Sequence, residues 1–393
     1  MAYCEHCFPF PPRHFENWFN DLLELLFYPP FERITPSFFN SQFFEKAITD
    51  CFVLTGIVRK EKEFLLNEIN PIAALFIQRG RARGIEFEAL RGPFGYLTFF
   101  RMRIGGRSYE FDRLPGASAN SLAADDKWHT KKALRTLGYP VATGRSFWWF
   151  QKRKAARYAA TLEYPVVVKP RKGSLSQHLF IVKSASELLP ALRGVNAYSP
   201  VFMVEKFVPD ATLYRITIVD GKEMFVVKRL PAEVMGDGKS TLRALIRKIK
   251  FNQKNLDKTV LEEQGVGLDS LIAKGKKIFL QRKAILALGS KIEKVPIAEV
   301  HRDIVAMGRA IAKHFRLPLV GIDILLRDHA RPLKGQTAAI LELNTLPNIL
   351  IHTFRKNGEA ENEVADALVD FALARFGGGR SADGARGGQT NQR

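Results

Sequence analysis

At 393 residues the chain can hold two or three domains and a large core. Its 46% apolar content is that of an ordinary globular protein, and no apolar run approaches the ~20 residues that span a bilayer, so no membrane-spanning helix is expected. A formal net charge of +20 implies attraction to anions such as nucleotides, acidic metabolites, nucleic acid or anionic lipid, without choosing among them.

The first 70 residues are rich in Phe and Pro. Met1-Ala-Tyr-Cys4-Glu-His6-Cys7 lacks a basic stretch followed by an apolar one, so it does not read as a secretory signal. Three cysteines cannot build a disulfide framework, and the chain is expected in a reducing cytoplasm. Cys4 and Cys7, with His6 and His14 nearby, have zinc-like spacing, but no second pair follows. Phe15, Trp18, Phe19, Leu22, Leu23 and Leu26 recur at helical spacing and predict an amphipathic helix over Arg13 to Phe27.

Residues 71–120 read as a small α/β unit. Ile72 to Gln78 suits a helix, and Ile85 to Leu90 alternates as a strand. Leu97 to Ile104 and Arg107 to Phe111 flank Gly105-Gly106, a two-residue hairpin signal. Pro115 to Ser121 reads as a linker, and Ala123 to Leu137 as a helix stopped by Gly138.

Residues 121–376 read as one α+β domain. Pro165 to Lys169 and Val201 to Glu205 are apolar strands, with a short helix over Glu187 to Leu192 between them. Asp220-Gly221 joins Tyr214–Val219 to Glu223–Lys228 in a type I′ hairpin. Ser240 is the expected cap of a helix over Thr241 to Lys250; Ala298 to Phe315 and Asn362 to Phe376 are further helices. Apart from Ala382 and Ala385, residues 377–393 lack apolar side chains, and they are expected to be a disordered tail. Basic runs such as Gln151 to Lys154 read as solvated helix faces, and no interleaved aromatic-basic motif points to nucleic acid.

The most informative residues lie near the C-terminus. Gly321-Ile-Asp323-Ile and Ile340-Leu-Glu342-Leu-Asn344 each alternate apolar and polar, as strands with one buried face do. Alternation puts Glu342 and Asn344 on one face and Leu341 and Leu343 on the other. Arg327 to Gly335 is turn-rich, so an antiparallel hairpin places Asp323 opposite Glu342. Facing carboxylates repel unless a cation joins them, and this oxygen set suits Mg²⁺ held with substrate phosphates, with Mn²⁺ as an alternative. The competing reading is a solvated sheet face with chance acids.

Upstream, Lys169 ends an apolar strand beside the small-residue loop Gly173-Ser174, where backbone N–H groups can cradle phosphate. Glu205 to Phe207 closes a second apolar strand, whose backbone can meet an adenine edge. Arg215, Arg229 and Arg282 are guanidinium groups suited to phosphate and to charge developing in phosphoryl transfer.

The order of these segments carries more than any one of them. Asp126-Lys-Trp-His-Thr-Lys131, Tyr164 to Pro170, Val204 to Pro209, Tyr214-Arg215, Arg229 to Thr241 with its Gly236-Asp237-Gly238, Gly321-Ile-Asp323, Glu342 to Pro347 and His352 follow in series. Over residues 120–375 that series resembles the ATP-grasp ligases, most closely the ATP-grasp part of cyanophycin synthetases and bifunctional glutathione synthetases. The resemblance implies ATP gripped between two α+β subdomains, preceded here by a small pre-grasp unit. Lys131 and Lys169 would touch ATP, Glu205 and Phe207 would form the adenine hinge, and Asp210 would lie near the ribose. Asp323, Glu342 and Asn344 would hold Mg²⁺, and Arg282 would steady an acyl phosphate.

Three features depart from the family. Ser174 to Gln177 replace most of a glycine-rich phosphate loop, predicting a stiffer or differently shaped loop. Relatives follow the arginine matching Arg282 with Asn and a Gly pair, where Lys283 to Ser290 offers only Gly289. The Mur-ligase-like half of cyanophycin synthetase has no counterpart here, so full cyanophycin synthesis is not expected. The expected activity is ADP-forming carboxylate–amine ligation on an amino acid or short peptide, in the cytoplasm, with a homo-oligomer left open. The alternatives are a kinase on the same fold and a non-catalytic nucleotide-binding module.

Overall fold

The computed structural model describes residues 18, 19, 22, 50–93, 95–116, 124–173, 178–249, 251–282, 284 and 289–377. Of the helix expected over 13–27, Trp18, Phe19 and Leu22 are described and are helical. The Cys4–Cys7 pair, most of the expected linker, Ser174 and the tail beyond residue 377 lie outside the described residues.

The first sheet is antiparallel in the order β1 (Arg59–Glu61), β2 (Glu86–Gly92), β3 (Gly95–Ile104) and β4 (Arg107–Asp112). Gly105 and Gly106 turn β3 into β4 at φ of 58° and 77°, the backbone a type I′ turn requires. Helix α1 (Pro71–Arg81) starts where the Asn70 side chain accepts hydrogen bonds from the N–H groups of Ile72 and Ala73. Its Phe76 meets Phe87 and Phe111 edge-on, with ring centroids 5.7 and 5.6 Å away. The alternation expected in β2 is broken by Glu88, which is buried. Buried Arg101 neutralises this face, lying 3.9 Å from Glu88 and 2.5 Å from Glu110.

The second sheet, also antiparallel, is ordered β5-β8-β6-β7. It comprises β5 (Gly144–Trp148), β6 (Val166–Pro170), β7 (Phe180–Val182) and β8 (Val201–Lys206). Helix α2 (Lys127–Thr136) precedes it, and α3 (Lys152–Thr161) and α4 (Ala185–Tyr198) cover one face. The helix expected over 123–137 is interrupted: Ala124 and Asp125 are helical, then extended Asp126 breaks the run, accepts from the N–H groups of Trp128 and His129 and begins α2 at Lys127. Helix α4 is longer than the expected 187–192, because Leu188, Ala191, Leu192 and Val195 bury one continuous stripe despite Pro190 inside it.

The third sheet is ordered β13-β10-β9-β14-β15 and is antiparallel throughout. Its strands are β9 (Thr212–Val219), β10 (Glu223–Leu230), β13 (Lys291–Val295), β14 (Leu319–Leu326) and β15 (Ala338–Asn344). A subdomain between β10 and β13 carries β11 (Glu233–Met235), α5 (Leu242–Lys248), α6 (Lys258–Glu263) and β12 (Lys277–Phe279) around its own apolar cluster. Thr241, not Ser240, caps α5; the Ser240 hydroxyl is committed to Asp237 at 2.7 Å.

Helix α7 (Arg302–His314) buries Ile304, Met307 and Ile311 on one face of the third sheet. It begins later than the expected Ala298, where the His301 side chain caps it. A small hairpin of β16 (Phe354–Lys356) and β17 (Glu359–Glu361) leads to α8 (Glu363–Gly377). That last helix shares a core with α1 and the first sheet, including Phe76, Phe100, Leu368 and Val369. Packing therefore crosses the sequence divisions near residues 70 and 120, since β1 and α8 both join the 71–120 unit. The architecture is α+β, as expected.

Candidate active site

A cleft of about 440 Å³ separates the second and third sheets. Its wall includes Lys169 and Gly173 from the second sheet and its loop, Phe207 from the connection, and Arg229, Arg282, Asp323 and Glu342 from the far side. Strand ends bring these residues together: Lys169 stands at the close of β6, Glu342 near the close of β15. Two residues that sequence reasoning did not single out, Lys127 and Lys172, also line it. Five cationic side chains thus face two carboxylates, a balance that suits a polyanion carrying divalent cations.

The register pairs Asp323 with Glu342, as the antiparallel hairpin was expected to. It also holds a bulge the sequence did not announce. Ile324 pairs with Ile340, so Leu341 is left over. The extra residue changes the facing: Leu341, expected on the face away from Glu342, lines the cleft beside it. Leu343 keeps its place in the core.

Asp323 is buried, and both of its oxygens take hydrogen bonds from Arg215, with the Nη2 contact at 3.0 Å. Arg229 stands 3.6 Å from the same carboxylate. Burial alone would lower the Arg215 pKa, but Asp323 and Glu342 hold it above the usual value. Glu342 lies 3.3 Å from Lys127 Nζ, and Asn344 Nδ2 donates to Glu342 Oε1 at 3.4 Å. Burial would raise the Glu342 carboxyl, yet Lys127, Lys169 and Arg215 together bring it down to about 2.

Behind the cleft wall lies a second buried group. Glu205 pairs with Lys131 and with Lys169, each at 3.0 Å, and both Glu205 and Lys131 are 2% exposed. Gly144 sits opposite Glu205 across β5 and β8, and a Cβ there would lie 2.7 Å from Glu205 Cγ. Glycine at 144 therefore makes room for the carboxylate. Burial lowers the Lys131 pKa to about 8, although Glu205 opposes it. Of the other sequence-selected residues, Arg215 and Asn344 stand beside the carboxylate pair, and Asp210 takes a positive φ of 52° in the turn after β8.

Arg282 follows β12 and is bound to Glu263 of α6, which also binds Lys183 at the end of β7. His352 is buried and hydrogen-bonded to Thr217 at 2.8 Å; burial, then the charges of Arg215 and Lys294, lower its pKa to about 3. It stays neutral at physiological pH. The Gly236-Asp237-Gly238 motif is not on the cleft wall. Asp237 accepts from the N–H groups of Lys239 and Ser240, and a Cβ at Gly236 would come within 2.1 Å of the Ala273 carbonyl oxygen. The motif shapes the 231–280 subdomain.

No family model matches the chain. The cyanophycin synthetase of Crocosphaera subtropica is 29% identical over 319 residues, 76% of this chain and 36% of that protein. A Nostoc cyanophycin synthetase is 30% identical across 69% of this chain and 32% of its own length. The glutathione biosynthesis bifunctional protein of Streptococcus mutans is 29% identical across 61% of this chain and 34% of that protein. The chain thus spans about a third of the length of these curated relatives. Among solved structures, the bifunctional glutathione synthetase of Pasteurella multocida superposes with a TM-score of 0.56 at 19% identity, over 79% of this chain and 44% of that one. The chain is a homologue of the ATP-grasp ligases and has their fold.

Proposed function

We propose that this protein is an ATP- and Mg²⁺-dependent carboxylate–amine ligase that forms an amide or peptide bond on an amino acid or short peptide and releases ADP. The observation that carries this reading is the Asp323–Glu342 pair, set opposite each other across a bulged ladder in a cation-lined cleft. Its homologues' names point to the same chemistry. Their much greater length leaves the substrates to be identified, and cysteine usage favours the cytoplasm.

The donor set fits a hard divalent cation: two carboxylates and an amide oxygen on adjacent strands. Arg215 uses two of the roughly four lone-pair positions of Asp323, which leaves acceptor capacity. Asp323, Glu342 and Asn344 would hold Mg²⁺, which supplies charge neutralisation between neighbouring phosphates.

A carboxylate resists attack by an amine because its leaving group would be oxide. Transfer of the γ-phosphoryl group to the substrate carboxylate makes an acyl phosphate and ADP. The amine then adds to the carbonyl, phosphate departs with the C–O bonding pair, and the amine's proton is lost to solvent or phosphate. In this chain Lys169 and the Gly173 loop bind phosphate, Phe207 borders the base, and Asp210 lies toward the ribose. Arg229 and Arg282 face the transferred group and the charge that develops on it. Lys131 and Glu205 fix the Lys169 ammonium from behind.

Incubation with ATP, Mg²⁺, pooled amino acids and hydroxylamine tests the reading. A ligase yields ADP and a hydroxamate; ADP with a stable phosphoester indicates a kinase, and neither product indicates a binding module. Lys169→Ala should weaken ATP binding roughly tenfold or more, the value of a charge-assisted hydrogen bond plus a freed Glu205; calorimetry showing unchanged affinity would refute that role. Lys131 gives a pH signature. Its ammonium is charged below about pH 8 and neutral above. The positive charge it adds behind Lys169, through Glu205, is therefore present at pH 7 and lost as pH rises through 8 toward 9, and phosphate affinity falls with it. An affinity that stays flat over that interval, or one that falls equally in Lys131→Met, counts against the assignment.

A further inference from the structure

Strand β5 ends at Trp148, and a turn through Trp149 and Phe150 leads into α3. Gln151 closes that turn from both sides: its N–H donates to the Trp148 carbonyl oxygen at 2.8 Å, and its side-chain oxygen accepts from the Trp148 N–H at 3.0 Å. The Trp149 N–H donates to the Pro200 carbonyl oxygen at 2.8 Å, and Asn196 of α4 reaches the Trp149 carbonyl oxygen at 3.4 Å. The backbone is thus fixed, yet Phe150 is 66% and Trp149 37% exposed. Trp18 adds to the cluster from the N-terminal helix, meeting Trp149 edge-on with ring centroids 5.4 Å apart.

The charge beside these rings is as little used by the fold. Lys152, Arg153 and Lys154 make the first turn of α3, where cations oppose the helix dipole, and that turn holds neither an acid nor a side-chain cap. Arg157 follows Arg153 four residues on, along the same exposed face. No Asp or Glu occurs from Lys127 to Leu162. Among the described residues no ion pair joins any of these four cations to a carboxylate. Exposed rings rimmed by unanswered charge mark a surface that meets something else.

We propose that the Trp149–Phe150 turn and the basic face of α3 dock on the surface of an anionic lipid bilayer. The aromatic rings enter at headgroup level, and the lysines and arginines beside them meet the lipid phosphates. The chain would lie on the membrane: no helix among the described residues is long and apolar enough to cross it. Aromatic and basic residues also serve binders of single-stranded nucleic acid, which stack bases on open ring faces. Here the faces are turned on one another. Trp148 and Phe150 lie within 17° of parallel with centroids 6.4 Å apart, and Trp149 stands edge-on to Phe150 at 5.0 Å. A cluster stacked on itself gives lipid an apolar exterior and gives a base little to stack on. None of these residues lines the catalytic cleft, so the proposal is independent of the ligase reading.

The test is sedimentation of the full chain with vesicles of phosphatidylcholine, alone or mixed with phosphatidylserine, and tryptophan quenching by brominated acyl chains. The wild-type chain should sediment with the anionic vesicles only, and be quenched there. The triple variant Lys152→Gln, Arg153→Gln, Lys154→Gln should bind on the order of a hundredfold more weakly, about fivefold for each cation lost near an anionic surface. Phe150→Ser should weaken binding roughly tenfold, through apolar area that no longer leaves water. A control triple on α7, Arg302→Gln, Arg309→Gln, Lys313→Gln, removes equal charge elsewhere and should stay within about twofold of wild type. All these positions are at the surface, so thermal melts should match wild type. A wild-type chain that ignores anionic vesicles, equal losses in the two triple variants, or binding unchanged by Phe150→Ser overturns the proposal. So does a single-stranded oligonucleotide that binds the chain and is lost in Phe150→Ser while vesicle binding persists.

Discussion

Glu342→Gln should lower ligase turnover by at least about 10³-fold, the scale of losing a group that stabilises transition-state charge, while the fold survives. Glutamine matches the side chain in size and can still accept from Asn344, whose Nδ2 now reaches Glu342 at 3.4 Å. What it removes is charge. Burial pushes this carboxyl up, but Lys127, Lys169 and Arg215 outweigh it and bring the pKa down to about 2. At neutral pH the group is therefore fully ionised, and the substitution deletes a whole negative charge. The check is ADP release alongside a denaturation midpoint. Wild-type turnover in a correctly folded Glu342→Gln chain would count decisively against the site.

Glu205→Ala should cost about 3–5 kcal/mol of stability at pH 6, the usual effect of removing one partner from a buried ion pair. It strands two lysines, since Lys131 and Lys169 each lie 3.0 Å from Glu205. The sign of the pH dependence follows from Lys131. Its pKa in the folded chain is already down at about 8, and without Glu205 it falls further, while in the unfolded chain it stays near 10.5. Between those values the unfolded state binds the extra proton, so stability of the variant rises with pH. The deficit relative to wild type should be largest near pH 6 and smaller at pH 9. Urea titrations at the two pH values measure this directly; an equal deficit at both would mean that Lys131 is not the stranded charge.

Much of the site was legible because strand alternation has a period of two. The facing carboxylates agree with the hairpin reading, but only by way of the bulge, since the register nearer the loop, Ile324 with Ile340, would by itself set Leu341 opposite Asp323. The bulge was not legible, since nothing in Ile340-Leu-Glu342 marks Leu341 as the residue without a partner. Lys127 escaped notice for a local reason. With the helix drawn from Ala123, position 127 reads as mid-helix. Recognising Asp126 as the cap makes it the first helical residue, aimed past the helix end. The Gly236-Asp237-Gly238 motif was read as a family marker, and its work turns out to be turn geometry and close backbone approach.

The sequence alone determined the α+β class, the hairpins at Gly105-Gly106 and Asp220-Gly221 and the homology to ATP-grasp ligases. These depend on short-range periodicity, turn residues and residue order, all of which are written locally. Tertiary structure alone decided that Lys131, Lys169 and Glu205 form one buried group, that Arg215 occupies Asp323, and that α8 shares a core with α1. Those partners are tens to hundreds of residues apart. Which distant charges meet is settled by how sheets and helices pack, because a buried ion tolerates burial only beside its counter-ion.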